Sequence, residues 1–157
     1  MLAELALATI LALPPKTPRP PARCQDKTAQ MLWRAGFRGE RNRIAWAITW
    51  RESKHQNLDE SSPWYSGALG IWQIQTSAHS SKPWWSRNAM LQPARQSRIV
   101  YKHMSNHGKF WQPWGLNHNG TGLDVTQYSG WSTWQHMNWI WYPYQQGRAL
   151  YPKACAR

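Results

Sequence analysis

The chain has 157 residues, of which 13 are Trp, and a formal net charge of +12 with only seven Asp and Glu residues. This length indicates one domain rather than several, long enough for a real core. The charge indicates an anionic partner such as nucleic acid, an anionic membrane face or an anionic cell-wall polymer. The Trp residues can fill the core or stack on flat ligands such as nucleobases and sugar rings, and core packing is the expectation for most of them.

The N-terminal segment is predicted to lie outside the domain. Residues 1–13 are apolar but too short to span a bilayer comfortably. They resemble the apolar part of a signal peptide, although Glu4 interrupts them and no Lys or Arg precedes them, so a short docking helix is the alternative. Residues 14–21 carry five prolines and indicate a stiff linker. The domain is therefore expected to begin near Cys24, after an N-terminal segment of residues 1–23.

Three helices are predicted in the first two thirds of the chain. The first covers residues 25–37 and stops at Gly36. The second covers residues 40–53. The third covers residues 93–107 and begins with Pro93, which suits the first turn of a helix. No long strand pattern is present, so the predicted class is mainly α.

The connecting segments have weaker patterns. Residues 56–66 are predicted to form a loop, residues 69–75 a helical turn or a strand, and residues 76–90 an irregular stretch. Residues 110–116 are predicted to form a turn with aromatic anchors. Residues 123–157 form a Trp-rich extension that we expect to pack on the domain, with a fourth helix over residues 129–142.

Glu52 is the first candidate for a chemical role. Ile48, Thr49 and Glu52 share one face of the second helix, which should turn inward. A carboxylic acid at the mouth of an apolar pocket stays protonated closer to neutrality and can donate a proton. The alternative is a structural ion pair with Arg51 or Lys54.

Two further features have both a functional and a structural interpretation. In residues 67–74, glycines allow close backbone approach, and Gln73 supplies an amide that can bind sugar hydroxyls or an N-acetyl group; the alternative is an ordinary loop. Tyr101, on the third helix, can hold a catalytic acid by hydrogen bonding or can be a core residue.

No metal or cofactor is expected. His103 and His107 have the spacing of two ligands on a helix, but no third ligand accompanies them. The phosphate-binding, dinucleotide-binding and nucleophile-elbow motifs are all missing. Cys24 and Cys155 can form a disulfide or remain two free thiols.

Four features, taken in order along the chain, resemble the soluble lytic transglycosylase and goose-type lysozyme superfamily. They are Arg-Glu-Ser at 51–53, GALGIWQI at 67–74, a helix with Tyr101, and WQPW at 111–114. The closest likeness is to tail-associated or lysis proteins of actinobacterial phages. The resemblance covers about residues 28–122. It implies a lysozyme-like catalytic domain over residues 24–122, which cleaves the β-1,4 bond between N-acetylmuramic acid and N-acetylglucosamine in peptidoglycan.

The resemblance also implies roles for particular residues. Glu52 corresponds to the catalytic acid/base, Gln73 lines the sugar cleft, and Tyr101 sits over the catalytic acid. Trp72 and His79 are expected to contribute to substrate binding. Gln75 is expected to do so as well, but it stands where goose-type lysozymes have an Asp. Its presence favours chemistry with one carboxyl group and thus a lytic transglycosylase that forms 1,6-anhydro ends; the alternative is a hydrolytic lysozyme.

A second departure from the pattern is the entry to the third helix, where Gln92 and Gln96 replace an Asp and an Asn; we interpret it as a change of helix cap. The expected partners are peptidoglycan glycan strands, with anionic wall polymers and other virion proteins as further candidates, in a virion tail or outside the cell. No specific nucleic acid is expected, since the basic residues are scattered. The alternative from another class is a basic, Trp-rich wall-binding, virion structural or nucleic-acid-binding protein without catalysis.

Overall fold

The computed structural model describes residues 19–156 of the chain. The expectations for residues 1–13, and most of the Pro-rich stretch, lie outside the described residues. Within residues 19–156 the fold is mainly α, as predicted, with one small two-stranded sheet. No helix in this part of the chain is long and apolar enough to cross a membrane.

The first two helices lead to the centre of the fold. Helix α1 (Lys27–Ala35) begins at Asp26, whose carboxylate accepts a hydrogen bond from the Ala29 N–H at 2.7 Å, and ends at Gly36 as predicted. Helix α2 (Glu40–Ser53) has the predicted bounds. All six residues at positions 44–49 are buried, so α2 is enclosed on every side over these turns.

The sheet and the short helices follow α2. Strands β1 (Ala68–Leu69) and β2 (Ile74–Gln75) pair antiparallel, so the predicted strand alternative holds for part of this region. Residues 76–90 contain two single-turn helices and are therefore less irregular than predicted: α3 (Thr76–His79) and α4 (Arg87–Met90).

The third predicted helix is present but ends earlier. Helix α5 (Pro93–Ile99) has Pro93 in its first turn and continues as a π-helix (Val100–Met104). The predicted end at His107 was wrong by three residues, because Asn106 and His107 adopt left-handed backbone conformations with φ of 43° and 57°. Such residues end a helix.

The C-terminal region is more helical than predicted. Two 3-10 turns (Gln112–Trp114 and Val125–Tyr128) precede a long helical stretch. It runs through α6 (Thr133–Gln135), a π-helix (His136–Trp141) and α7 (Tyr142–Leu150). The helix predicted over residues 129–142 therefore begins later and extends further, because the side chain of Ser132 caps its first turn.

Helix α7 packs directly on α2. Gly147 makes this possible: a Cβ atom there would lie 3.0 Å from the Cα of Ala47. Beyond α7, the hydroxyl of Tyr151 lies 2.8 Å from Asn42 Oδ1. The C-terminal residues thus complete the core, and Cys24 and Cys155 form a disulfide, the first of the two alternatives drawn from the sequence.

Candidate functional site

A cleft of about 470 Å³ opens beside the C-terminal end of α2. Its walls come from α2, the loop before β1, the hairpin, α3, the end of the π-helix after α5, and the two 3-10 turns. Among the described residues that line it, Glu52 is the only carboxylic acid. The other polar and aromatic residues of the lining are Ser66, Gln73, Gln75 and His79 with Trp64, Trp114 and Tyr128.

Glu52 is paired with the residue before it. The Arg51 Nε donates to Glu52 Oε1 at 3.0 Å, and Arg51 Nη2 donates to the same oxygen. Arg51 also donates from Nη1 to the carbonyl oxygen of Trp114 at 2.9 Å and is only 6% exposed, against 23% for Glu52. The ion pair expected as the alternative to catalysis is therefore present. It engages one carboxylate oxygen, and Oε2 accepts no hydrogen bond from residues 19–156.

Lys54, the other candidate partner for Glu52, points elsewhere. Its ammonium lies 3.2 Å from the centroid of the Trp50 ring. Lys54 and His55 both have a left-handed backbone, with φ of 52° and 62°. The chain therefore turns sharply after α2, and the Glu52 side chain stays at the end of the helix, next to the cleft.

Two buried polar side chains hold the 67–74 segment against the helices. Ser53 Oγ lies 2.9 Å from the Ile71 carbonyl oxygen and 3.1 Å from that of Thr49. Gln96 is fully buried; its Nε2 donates to Leu69 O at 2.8 Å and its Oε1 accepts from the Trp72 N–H at 3.3 Å. Gln96 was interpreted from the sequence as part of a cap change, but it anchors this segment.

The conformation of Gln73 is set by its neighbours. Its backbone is left-handed, with φ of 49°, which is uncommon for a residue other than Gly. Its side-chain Nε2 donates to the carbonyl oxygen of Gly70 at 2.8 Å. This bond leaves Oε1 of the amide as the acceptor available to a ligand in the cleft.

Gln75 and His79 lie on the same wall as Gln73. Gln75 is exposed, and its Nε2 makes a long contact of 3.4 Å with the Ser66 carbonyl oxygen. His79 has a buried Nδ1 without a hydrogen-bond partner among the described residues. Burial, and then the charge of Lys82, lowers the pKa of His79, which favours the neutral form of the ring. The structure therefore brings Glu52, Gln73, Gln75 and His79 to one cleft.

Trp72 does not belong to the cleft. It is fully buried, donates from Nε1 to Ser97 Oγ at 2.9 Å and packs against Phe37. A side chain with no exposed surface cannot contact a ligand in the cleft. The expectation that Trp72 binds substrate is therefore corrected: Trp72 is a core residue.

Tyr101 is also absent from the cleft lining. Its ring packs edge-on against Phe37 and His107, with centroids 5.1 Å away in both cases. Tyr128 is the tyrosine that reaches the cleft beside Glu52. Burial raises the pKa of Tyr128, and the negative charge of Glu52 raises it further. Tyr101, which the resemblance places over Glu52, therefore does not line the cleft, whereas Tyr128 does.

The sequence pattern did not single out Tyr128 or Trp64. Tyr128 belongs to the C-terminal extension, which carries no motif. Trp64 lies in the loop before β1, lines the cleft and is 83% exposed. A large aromatic residue in a largely polar loop was the available signal, because an aromatic ring offers a flat apolar face to a ligand.

Within residues 19–156, no group of three or more His, Cys, Asp and Glu side chains could hold a metal ion. His103 instead stacks on Trp84 with ring centroids 5.9 Å apart. Comparisons of the chain with protein-family models, with curated proteins and with solved structures found no match. The chemistry of the cleft has to be inferred from its own residues.

Proposed function

We propose that the chain is a peptidoglycan-cleaving enzyme with a lysozyme-like fold, of the lytic transglycosylase type. The observation that carries this proposal is the isolation of Glu52 as the only carboxylic acid lining a cleft of about 470 Å³ in the described chain. Gln73 and Gln75 supply amides suited to hydroxyl and N-acetyl groups. Trp64 and Tyr128 supply aromatic surfaces for sugar rings.

A single carboxyl group favours a transglycosylase over a two-carboxylate hydrolase. In the first step Glu52 donates its proton to the oxygen of the β-1,4 bond, and that bond breaks while the N-acetyl group of the substrate assists at the anomeric carbon. In the second step the Glu52 carboxylate accepts the proton of the muramic acid O6 hydroxyl, O6 bonds to the anomeric carbon, and the bond that the N-acetyl oxygen formed to that carbon in the first step breaks. The product has a 1,6-anhydro end, and Glu52 regains its proton.

Arg51 fits the carboxylate that the first step leaves behind. Its guanidinium donates to Oε1 of Glu52 and would stabilise that side chain after its proton has gone to the leaving oxygen. Oε2 has no partner in residues 19–156 and is the oxygen that can carry and donate the proton in the first step. Arg51 is in turn held by the Trp114 carbonyl oxygen at 2.9 Å, which fixes its orientation.

Digestion of purified peptidoglycan tests the proposal. We expect soluble products that are one water lighter than hydrolysed ones, as mass spectrometry of the fragments would reveal. Glu52→Gln keeps the shape of the side chain and should lower turnover at least about a hundredfold. Glu60→Gln is the matched control, because Glu60 lies at the surface and pairs with Arg87 at 2.7 Å. Products that retain the water would identify a hydrolytic lysozyme instead.

A second candidate is a wall-binding or virion structural protein without catalysis. The Arg51–Glu52 ion pair favours it, because such a pair is the structural alternative to a catalytic role for this side chain. This candidate predicts no released fragments from the wild-type chain and equal binding of peptidoglycan by the wild-type chain and Glu52→Gln. For both candidates, the net charge of +12 suits binding to a wall rich in anionic polymers. The protein would meet that wall as part of a virion tail or as a protein outside the cell.

A further inference from the structure

A group of aromatic side chains, here called the aromatic platform, lies in the C-terminal region and consists of Tyr128, Trp131, Trp134 and Trp139. The rings of Tyr128 and Trp131 stack with centroids 4.5 Å apart. Trp139 packs edge-on against Trp131 at 5.1 Å and against Trp134 at 6.2 Å. The four side chains therefore form one continuous series of contacts.

Much of this platform faces solvent. Trp134 is 63% exposed and Trp139 is 51% exposed. The backbone beneath it is well ordered by hydrogen bonds: the Trp131 N–H donates to Tyr128 O at 2.8 Å, and Ser132 caps the following helix. Large aromatic rings held rigidly at a surface lose little conformational entropy when a ligand binds.

The platform is continuous with the cleft. Tyr128 lines the cleft that contains Glu52, and its ring stacks on Trp131. From Tyr128 the series leads through Trp131 and Trp139 to Trp134. The exposed rings of Trp139 and Trp134 are therefore joined to the wall of the cleft by an unbroken series of ring contacts.

The charge of this region narrows the choice of ligand. The chain has 19 Lys and Arg residues, yet none lies in residues 110–147, and Asp124 is the only acidic residue there. Nucleic acids, anionic lipids and phosphate-rich wall polymers are bound through cations. The segment itself offers these ligands no Lys or Arg side chain, whereas the uncharged face of a sugar ring needs only a flat aromatic partner.

We propose that the aromatic platform binds the glycan strand of peptidoglycan outside the cleft, as a second site for consecutive N-acetylhexosamine rings. This inference rests on the proposed function, because it takes the strand in the cleft as the ligand that continues over the platform. The platform would hold the strand and so favour long strands over short fragments.

The test compares long, peptide-free glycan strands with disaccharide fragments of the same strands by calorimetry. The Glu52→Gln chain is used so that the strands stay intact. The variant with both Trp134→Ala and Trp139→Ala should have a lower ratio of long-strand to disaccharide affinity. The expected decrease is about tenfold for each ring removed, which is the effect of losing one aromatic stacking contact with the ligand. Trp134→Phe with Trp139→Phe keeps a ring at each position and should retain most of the ratio.

Leu150→Ala is the matched control, since Leu150 is 53% exposed on α7 but is not part of the platform. It should leave the ratio unchanged, and melting curves of each variant establish that the fold is intact. An unchanged ratio in the Trp134→Ala, Trp139→Ala chain would overturn the inference. It would also be overturned if these substitutions abolished only binding to anionic lipid vesicles, or only self-association in sedimentation.

The outcomes separate this inference from the proposed function. If the wild-type chain cleaves peptidoglycan and the affinity ratio does not depend on Trp134 and Trp139, glycan binding by the platform is refuted while the proposed enzymatic function is supported. If the wild-type chain releases no fragments but the ratio falls in the double variant, the platform stands and the catalytic proposal is refuted.

Discussion

The hydroxyl of Ser53 lies 2.9 Å from the carbonyl oxygen of Ile71 and can donate a hydrogen bond to it. Ser53 directly follows Glu52 on α2, and Ile71 lies two residues before Gln73 in the connection between β1 and β2. One buried hydrogen bond therefore links the segment that carries the acid to the segment that carries the amide.

Ser53→Ala should weaken this link. It leaves the Ile71 carbonyl oxygen without its partner, so we expect the free energy of unfolding to fall by about 1 kcal/mol and turnover of peptidoglycan to fall with it. Urea unfolding and product release measure the two effects. Ser81→Ala is the control, because Ser81 is exposed and its side chain makes no hydrogen bond in the described structure. Equal behaviour of the two variants would contradict the role given to Ser53.

Substitutions of Tyr128 and Tyr101 test which of the two tyrosines contributes to catalysis, the one that lines the cleft in the structure or the one that the motif assigns to it. Tyr128 lines the cleft beside Glu52, so Tyr128→Leu should lower turnover about tenfold, equivalent to about 1.4 kcal/mol of transition-state stabilisation. Tyr101 packs on Phe37 and His107, so Tyr101→Leu should mainly lower stability, by about 1–3 kcal/mol. Rates measured well below the melting temperature separate the effects. A larger loss of turnover for Tyr101→Leu would reinstate the motif-based assignment.

Gly70 should tolerate no side chain. Its φ is 74°, and a Cβ atom would lie 2.3 Å from both the Met90 carbonyl oxygen and Gln96 Oε1. Gly70→Ala should therefore cost about 2 kcal/mol or more in unfolding free energy and disturb Gln73, which bonds to the Gly70 carbonyl oxygen. Gly130→Ala should be close to neutral, because no atom lies within 4 Å of the added methyl group. Similar melting temperatures for the two variants would refute this difference.

The disulfide should contribute strongly to stability. Cys24 and Cys155 are separated by 131 positions, and closing so long a loop restricts the unfolded chain by about 4–5 kcal/mol in the chain-entropy model. Cys24→Ser combined with Cys155→Ser should lower the unfolding free energy by about that amount, as denaturant titration would measure. A reducing agent should destabilise the wild-type chain and leave the double variant unaffected; an unchanged wild-type midpoint would argue against the bridge.

His55 should make stability depend on pH. Its Nε2 lies 3.1 Å from the Trp46 carbonyl oxygen. Burial lowers the pKa of His55; the bond to Trp46 and the charge of Asp26 oppose this effect, while Lys54 adds to it. The folded protein thus favours the neutral ring. Its contribution to stability is complete above 6.5, the ordinary pKa, and is lost as the pH falls from there through the lower pKa of the folded state.

Urea unfolding at about pH 7.5 and about pH 5.5 measures the effect of His55. His55→Asn is the informative variant, because Asn tolerates the left-handed backbone at this position and does not titrate. The variant should show a smaller difference in unfolding free energy between the two conditions. An undiminished difference would assign the pH dependence to another group.

Helix α2, which carries Glu52, and helix α1, which precedes it, could be predicted because their sequence signals are local. An apolar run from Ile44 to Trp50 and a glycine at position 36 mark helix interiors and ends by backbone geometry alone. The hairpin was harder to predict because each strand has only two residues, too few for an alternating pattern.

The composition of the cleft could be predicted only in part. The motifs pointed to Glu52 and Gln73, which both line it, whereas Trp72 is fully buried and Tyr101 is not among the lining residues, because a motif does not tell which face of a segment turns inward. Tyr128 reaches the cleft from 76 positions beyond Glu52 through the packing of the C-terminal region, and no local pattern encodes a contact of that range.

Because residues 110–147 lack Lys and Arg, the rate at which the protein binds a wall and the time for which it stays bound should depend on different parts of the chain. The field of a chain with net charge +12 arises from the other segments, so the rate of capture by an anionic wall should fall steeply as ionic strength rises. Dwell time on uncharged sugar rings has no such dependence. Salt would therefore change how often the protein arrives at a wall and leave unchanged how long the aromatic platform keeps it there.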